Sequence, residues 1–412
     1  MIYQRNLKTK ITKGLRFSPI VLLVGPRQCG KTTLSKQLGN EQEMEFISFD
    51  EVSMLALAQF DPSGFVQGLK KPIILDEVQR IPSLFLPIKQ DVDSHGLKGQ
   101  YLLTGSANPL VVPSLGDALT GRMAIYHLWP LSQGELCNKR EDFIQTIFSK
   151  DFTYSMVPTH CDKEEILNRA MKGGFPRIQQ AADEEERRTL CDSYLSSMLQ
   201  KDIQDLARIE GLAHLPSLLY TLASRTGSTI NLADIGRTVS TPTTTLRRYM
   251  HLLHSLFLLY TLPPWSKNFS KRLVKAPKIY LSDTAFLLNI LHFNRQQLLD
   301  NPTILGGVIE NFSLMELVKQ SSWSEVSIKF YHFKANNAAE VDIVLEDLSG
   351  NIVGLEVKAK NTVSPNDFRG LELLKEAAGR KFLRGVVLYT GERILPAKSD
   401  MYAIPITKLW DD

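Results

Sequence analysis

The chain has 412 residues, 43% hydrophobic and 22% charged, with 48 Lys and Arg against 44 Asp and Glu for a net charge of +4. This composition excludes intrinsic disorder, collagen and a coiled-coil rod. The charge excess is too small to diagnose a nucleic-acid binder, so its distribution along the chain carries that question. The length suggests two or three domains.

From Pro19 to about Pro130 short apolar segments alternate with helical patterns. Ile20–Val24, Glu45–Phe49, Pro72–Leu75, Gln100–Thr104 and Arg122–Leu128 read as five strands. That rhythm predicts a parallel sheet covered on both faces. From Leu131 to about Leu262 helical patterns dominate, and Asp183–Glu186 followed by Arg187 and Arg188 opens a solvated helix with its acids at the N-terminus. From about Pro302 one helix, Ile304–Gln320, precedes strands Ser327–Phe333, Val341–Glu346, Ile352–Lys358 and Gly385–Tyr389. The expected fold class is therefore α/β, then all-α, then α/β again, with domains at 1–150, 151–300 and 301–412. Cys29, Cys137, Cys161 and Cys191 form no C-x-x-C pair, so a zinc ribbon is not expected. No apolar run reaches the roughly 18 residues of a membrane span. The basic stretch Met1–Gly14 lacks the apolar core of a signal peptide. The expectation is a cytoplasmic protein with no membrane partner.

The first chemical motif follows the first strand. Gly25-Pro26-Arg27-Gln28-Cys29-Gly30-Lys31-Thr32-Thr33 is G-x-x-x-x-G-K-T between a buried strand and a helix. Its glycines let backbone N–H groups cradle phosphates, Lys31 reaches the β- and γ-phosphates of ATP, and Thr32 holds Mg²⁺. Cys29 is read as a small filler within the loop. About forty residues on, the apolar strand Ile73-Ile74-Leu75 ends in Asp76-Glu77. Asp76 suits a hold on Mg²⁺, and Glu77 is placed to polarise the attacking water. Tyr101-Leu102-Leu103 runs into Thr104-Gly105-Ser106-Ala107-Asn108, where Ser106, or failing it Asn108, can position that water; a plain Gly/Ser turn is the alternative.

The set GPRQCGKTT, IILDEVQR and YLLTGSAN resembles an AAA-type P-loop ATPase domain over about residues 1–130. The resemblance implies ATP hydrolysis with Mg²⁺. It also implies that Arg122, in Leu119-Thr120-Gly121-Arg122, senses or neutralises phosphate charge, either in cis or from a neighbouring subunit of a homo-oligomer; a surface arginine is the alternative. By the same resemblance Gly173-Gly174-Phe175-Pro176 begins an accompanying C-terminal region, in which Tyr194 and Asp202 match positions without an evident chemical role.

Leu215–Ser224, Asn231–Thr238 and Thr241–Leu253 read as three helices, the third capped by Ser240 or Thr241 with Pro242 in its first turn. Two turn-joined helices followed by a hairpin of Leu258–Pro263 and Lys278–Leu281 resemble a winged helix. From Ile235 to Ser282 there are eight Lys and Arg (237, 247, 248, 267, 271, 272, 275, 278) and no Asp or Glu. That asymmetry is the footprint of phosphate contacts and points to DNA through Arg247, Arg248, Lys271 and Arg272. A winged helix that only packs domains together is the alternative.

Near the C-terminus, Asp342 lies in Ala339–Leu345 and Glu356 and Lys358 lie in Ile352–Lys358. Side chains alternate along a strand, so Glu356 and Lys358 share a face. A three- or five-residue loop centred on Ser349 would set Asp342 across from Glu356, whereas a two-residue loop would put them on opposite faces. Glu310 on the preceding helix can add a third carboxylate. Two acids and a lysine at one point suit metal-dependent phosphodiester cleavage, with Mg²⁺ held by Asp342, Glu356 and Glu310 and with Lys358 orienting the nucleophile. D-x13-E-V-K within α-β-β-β resembles the PD-(D/E)XK nuclease fold over about residues 302–412, although Val341 stands where that fold carries a proline. An active nuclease, an inactive nuclease-like binding domain and a plain hairpin with exposed charges all remain open.

Overall fold

The computed structural model describes residues 3–106, 119–150, 152, 163–202, 214–268, 270, 272, 275–335 and 339–411, with the side chains of 201 and 202 excepted. The chain divides into two compact units, Met1–Leu131 with His254–Phe257, and Ser132–Leu253 with Leu258–Asp412.

The first unit is built on five parallel strands: β1 (Ile20–Val24), β2 (Glu45–Ser48), β3 (Ile73–Asp76), β4 (Tyr101–Gly105) and β5 (Met123–His127), in the order β2-β3-β4-β1-β5. β1, β3 and β4 are buried along their whole length, as unbroken apolar runs demand in a parallel sheet. Strand alternation divides the core in two. Ile20, Leu22 and Val24 pack with Leu75, Leu103 and Phe257 on one face. Val21 and Leu23 pack with Leu34, Leu38 and Leu102 on the other. The register pairs Val24 with both Gly105 and His127, and Ser48 with Asp76. All five carboxyl ends therefore lie along one edge, where parallel sheets place their ligands.

In the second unit a helix at Glu184–Ser197 begins as expected: Asp183 accepts the Glu186 N–H, and Glu184, Glu185 and Glu186 fill the first turn. The Gly173-Gly174 pair has a steric cause. Asp283 accepts the Gly174 N–H at 2.7 Å, and a Cβ on Gly173 would come 1.9 Å from Asp283 Oδ1. Tyr194 stacks on Phe286 at 4.7 Å and meets Phe175 edge-on, so its role is packing. Asp202 lies outside the described side chains.

Three helices follow, α1 (Leu215–Ser224), α2 (Leu232–Thr238) and α3 (Thr243–Ser255), then an antiparallel pair, β6 (Leu259–Leu262) and β7 (Lys278–Leu281). The expected cap of α3 differs: Ser240 takes a left-handed φ of 50°, and Thr241 Oγ1 donates back to the Val239 carbonyl. A 20-residue helix, α4 (Pro302–Ser321), leads into a six-stranded mixed sheet. Its strands are β8 (Ile328–Ala335), β9 (Ala339–Asp347), β10 (Ile352–Lys358), β11 (Phe382–Tyr389), β12 (Leu395–Lys398) and β13 (Met401–Pro405), in the order β12-β13-β11-β10-β9-β8. The last two were not expected. β12 is an exposed edge strand, where Pro396 costs no ladder bond, and Pro405 ends β13; prolines at these points mask a strand pattern. The overall fold is α/β: a parallel sheet, a helical region and a separate mixed sheet. No helix among the described residues is long and apolar enough to cross a membrane.

Candidate functional site

The loop between β1 and the helix Lys31–Gln42 has the shape its glycines require. A Cβ on Gly25 would come 2.0 Å from the Leu128 carbonyl oxygen, so only glycine fits. Gly30 takes φ 103° at the N-cap and makes no side-chain cap, leaving the helix N-terminus open to an anion. Lys31 is buried, with Nζ donating to the Gly25 and Pro26 carbonyls at 3.0 and 2.9 Å. Both partners are uncharged carbonyls of the loop itself. Cys29 is fully buried and its thiol donates to the Leu128 carbonyl at 3.3 Å. Burial pushes that thiol's pKa up, which fits a filler and not a reactive group. Beneath the loop, Arg5 reaches the Cys29 and Trp129 carbonyls, a brace that the basic N-terminus did not advertise.

Asp76 ends β3 beside this loop. Thr32 Oγ1 donates to its carboxylate at 3.1 Å, Ser48 Oγ donates at 3.2 Å, and Thr104 Oγ1 also donates. Burial raises the Asp76 pKa against these hydrogen bonds. One hydroxyl and one carboxylate beside the phosphate loop are the donor types that would hold Mg²⁺, which would supply charge neutralisation there. Glu77 follows in a left-handed conformation, φ 60°, that turns it off the strand; its N–H donates to Thr104 Oγ1 at 3.1 Å. Such a conformation is uncommon for a residue with a Cβ and is held here by its neighbours. Ser106 Oγ donates to Glu77 Oε2 at 3.0 Å, and Gln79 Nε2 bonds both Glu77 Oε2 and Ser106 Oγ. Ser106 thus touches the glutamate rather than standing alone. Gln79 and Thr104 complete the group, and sequence reasoning passed over both. Asn108 lies outside the described residues.

Arg122 is elsewhere. It immediately precedes β5, and its carbonyl accepts the Ile20 N–H, at the amino ends of the strands. The full length of β5 separates it from the loop, and its guanidinium forms a two-point pair with Asp93. The structure therefore sets Arg122 away from the phosphate loop of its own chain.

Around α3 the basic residues divide. Arg247 and Arg248 are exposed while Leu246, Tyr249 and Leu253 are buried. Arg272 is not available as a phosphate contact. It pairs with Glu346 at 2.6 and 3.1 Å and lies over the Trp265 and Tyr331 rings. Lys271 lies outside the described residues.

The third group lies in the second unit. Residues of β9 and β10 pair from Ile352↔Glu346 to Leu355↔Ile343, and that register sets Asp342 opposite Glu356. The Val357 N–H donates to Asp342 Oδ2 at 3.0 Å, and Lys358 Nζ lies 2.7 Å from Glu356 Oε1. Glu310 reaches the same place from α4. Between Glu310 and Asp342, however, sits Lys278 Nζ, 3.0 Å from Glu310 Oε1 and 2.9 Å from Asp342 Oδ1; Tyr280 O–H also donates to Glu310. Burial alone would lower the Lys278 pKa, but the Asp342, Glu310 and Glu340 carboxylates hold it above the usual lysine range. Burial, then the Asp342 charge, pushes Glu310 and Glu356 upward. A divalent ion does not fit this arrangement. Among the described residues no group of three His, Cys, Asp or Glu is placed to hold one.

Comparison with known proteins follows the same division. Residues 17–137 match a family described as an AAA domain. With the five-stranded parallel sheet and the phosphate loop, this makes the N-terminal part an AAA-type P-loop ATPase domain. Residues 163–297 and 305–409 match two families, each described as a domain of unknown function. Uncharacterized proteins of Mycobacterium tuberculosis and Mycobacterium bovis are each 28% identical over 410 residues, covering 99% of this chain and 85% of theirs. Among solved structures, a Walker-type ATPase of Pyrococcus abyssi is 15% identical, covering 70% of this chain and 96% of that one, with a TM-score of 0.44.

Proposed function

We propose that the chain is an ATP-hydrolysing molecular switch that acts on or binds DNA. The observation that carries the hydrolysis is the group Thr32–Asp76–Glu77–Ser106 at the carboxyl edge of the parallel sheet. In this reading Gly25, Pro26, Arg27, Gln28, Cys29, Gly30, Lys31, Thr32 and Thr33 wrap the phosphates of ATP. Thr32 and Asp76 hold Mg²⁺, which neutralises phosphate charge when bound. Glu77 orients and deprotonates the attacking water, and Ser106 and Gln79 fix the Glu77 carboxylate. Arg122, at the opposite end of the strands, can serve only a nucleotide bound by another copy in a homo-oligomer.

DNA is the favoured partner because Arg247 and Arg248 project from a helix whose other face is buried, in a winged-helix-like order of helices and hairpin. Domain limits at 1–150, 151–300 and 301–412 and a cytoplasmic setting belong to the same proposal, the latter supported by the free Cys29, Cys137 and Cys191. The facing of Asp342 and Glu356 beside Lys358 supports a second reading, a nuclease-like C-terminal domain that the sequence leaves either active or inactive. Lys278 favours the inactive form, a nuclease-like domain that binds without cutting. The test is ATP turnover with and without duplex DNA, followed by inspection of the DNA. The proposal expects turnover that Glu77→Gln abolishes and DNA alters. Turnover indifferent to every DNA form would remove DNA from it.

A further inference from the structure

The carboxylates of the C-terminal cluster can be accounted for oxygen by oxygen. Asp342 gives Oδ1 to Lys278 Nζ at 2.9 Å and Oδ2 to the Val357 N–H at 3.0 Å. Glu310 Oε1 receives both Lys278 Nζ and the Tyr280 hydroxyl. Glu310 Oε2 faces Gly227, where an added Cβ would come within 2.9 Å of it. Glu356 Oε1 receives Lys358 Nζ at 2.7 Å. Glu356 Oε2 is buried and makes no hydrogen bond. Mg²⁺ or Mn²⁺ requires about six oxygens at about 2.1 Å in near-octahedral array. The Oε2 atoms of Glu310 and Glu356 do not provide that, and the Asp342 and Glu310 oxygens that would complete it already face an ammonium.

Lys278 is no visitor from the surface. Its side chain is 1% exposed, and its backbone is pinned in β7 against β6. The ammonium sits at hydrogen-bond distance from two carboxylates that arrive from α4 and β9. Two cations cannot share those carboxylates at close range without strong repulsion. Moving the lysine out would leave the carboxylates buried and uncompensated.

We infer that Lys278 is a built-in cation that takes the position of a divalent ion between Glu310 and Asp342, so that the cluster is held together without metal. An ammonium cannot bind and activate a water as a metal does, so the geometry that resembles a nuclease supports no metal-dependent cleavage. The cluster instead ties the β6–β7 hairpin to α4 and to the mixed sheet. The inference rests on the nuclease-like reading of Asp342, Glu356 and Lys358, and it stands apart from the ATPase reading.

The test uses the full chain without nucleotide and Mn²⁺ alone as the probe, followed by electron paramagnetic resonance of the free ion. Wild type is expected to bind no Mn²⁺ at the cluster below about 1 mM. Lys278→Met, or Lys278→Gln should the first be insoluble, is expected to acquire an Mn²⁺ site at least about tenfold tighter and to gain melting temperature from the ion. Adding Asp342→Asn should remove that site. The inference is overturned if wild type binds Mn²⁺ and Asp342→Asn abolishes the binding. It is equally overturned if the folded Lys278 variants bind none. ATP turnover of the same variants reports on the N-terminal site, so the two readings fail separately.

Discussion

Thr32 Oγ1 lies 3.1 Å from each carboxylate oxygen of Asp76, joining the phosphate loop to the tip of β3 across 44 residues of chain. In the proposed reading this hydroxyl and carboxylate are the groups that would hold Mg²⁺ against the phosphates. Lys31→Ala is expected to weaken nucleotide binding by roughly a hundredfold or more, because the cation over the β- and γ-phosphates is lost. Glu77→Gln keeps the shape and loses the base, so it should bind ATP normally and turn over about 10²–10⁴-fold more slowly. Titration with a fluorescent ATP analogue, alongside phosphate release, reads both. Wild-type turnover in Glu77→Gln would reassign the water-activating residue.

The Glu77 carboxylate is steered by Ser106 and Gln79. Neither has to touch the phosphates to matter. Ser106→Ala should lower kcat about tenfold while leaving KM for ATP close to wild type, since an orienting bond is lost and the phosphate cradle is not. Ser106→Thr, which restores a hydroxyl, should recover part of the rate. A raised KM with unchanged kcat would mean that Ser106 binds nucleotide instead.

Much of this arrangement is legible in the sequence, for identifiable reasons. Three of the five strands of the first sheet, β1, β3 and β4, are fully buried along their length, and the loop motif depends on local spacing. Even the facing of Asp342 and Glu356 follows from a turn centred on Ser349, because pairing register is set by the turn. What escaped depends on contacts between distant residues. Lys278 is 64 positions from Asp342 and Arg272 is 74 from Glu346, and a count of basic residues cannot distinguish an exposed charge from a buried, paired one. Gln79 sits on a short helical turn after β3, with no periodicity to mark the direction of its side chain.

Glu141 makes stability depend on pH. Its carboxylate accepts the Gly134 N–H at 2.8 Å, and burial, with the Glu316 and Glu135 charges adding, pushes its pKa up to about 7 from 4.5. Below pH 4.5 the group is neutral whether folded or unfolded. As pH rises from there to about 7 the unfolded chain releases a proton that the folded chain retains, so stability falls, by on the order of 3 kcal/mol. Glu141→Gln keeps an acceptor for Gly134 and cannot titrate. Urea midpoints measured from pH 5 to 7.5 should therefore fall more steeply in wild type than in the variant. Parallel slopes would mean that Glu141 is already ionised at pH 5.

The two kinds of arginine around the basic window should respond oppositely to salt and to denaturant. Arg247 and Arg248 are exposed on α3, and each phosphate contact they make releases counterions. Arg247→Ala and Arg248→Ala should each reduce the slope of log affinity for duplex DNA against log salt by about one, with little change in stability. Arg272 has a side chain 9% exposed, paired with a Glu346 that is 15% exposed, and it covers two aromatic rings. Arg272→Ala leaves a carboxylate buried without its partner, which costs about 3 kcal/mol. It should lower the melting temperature and leave the salt slope of the surviving folded protein unchanged. A slope that falls with Arg272→Ala, at unchanged stability, would place Arg272 on the phosphates after all. Slopes indifferent to all three substitutions would make the helices and hairpin a packing element and move any DNA contact elsewhere on the chain.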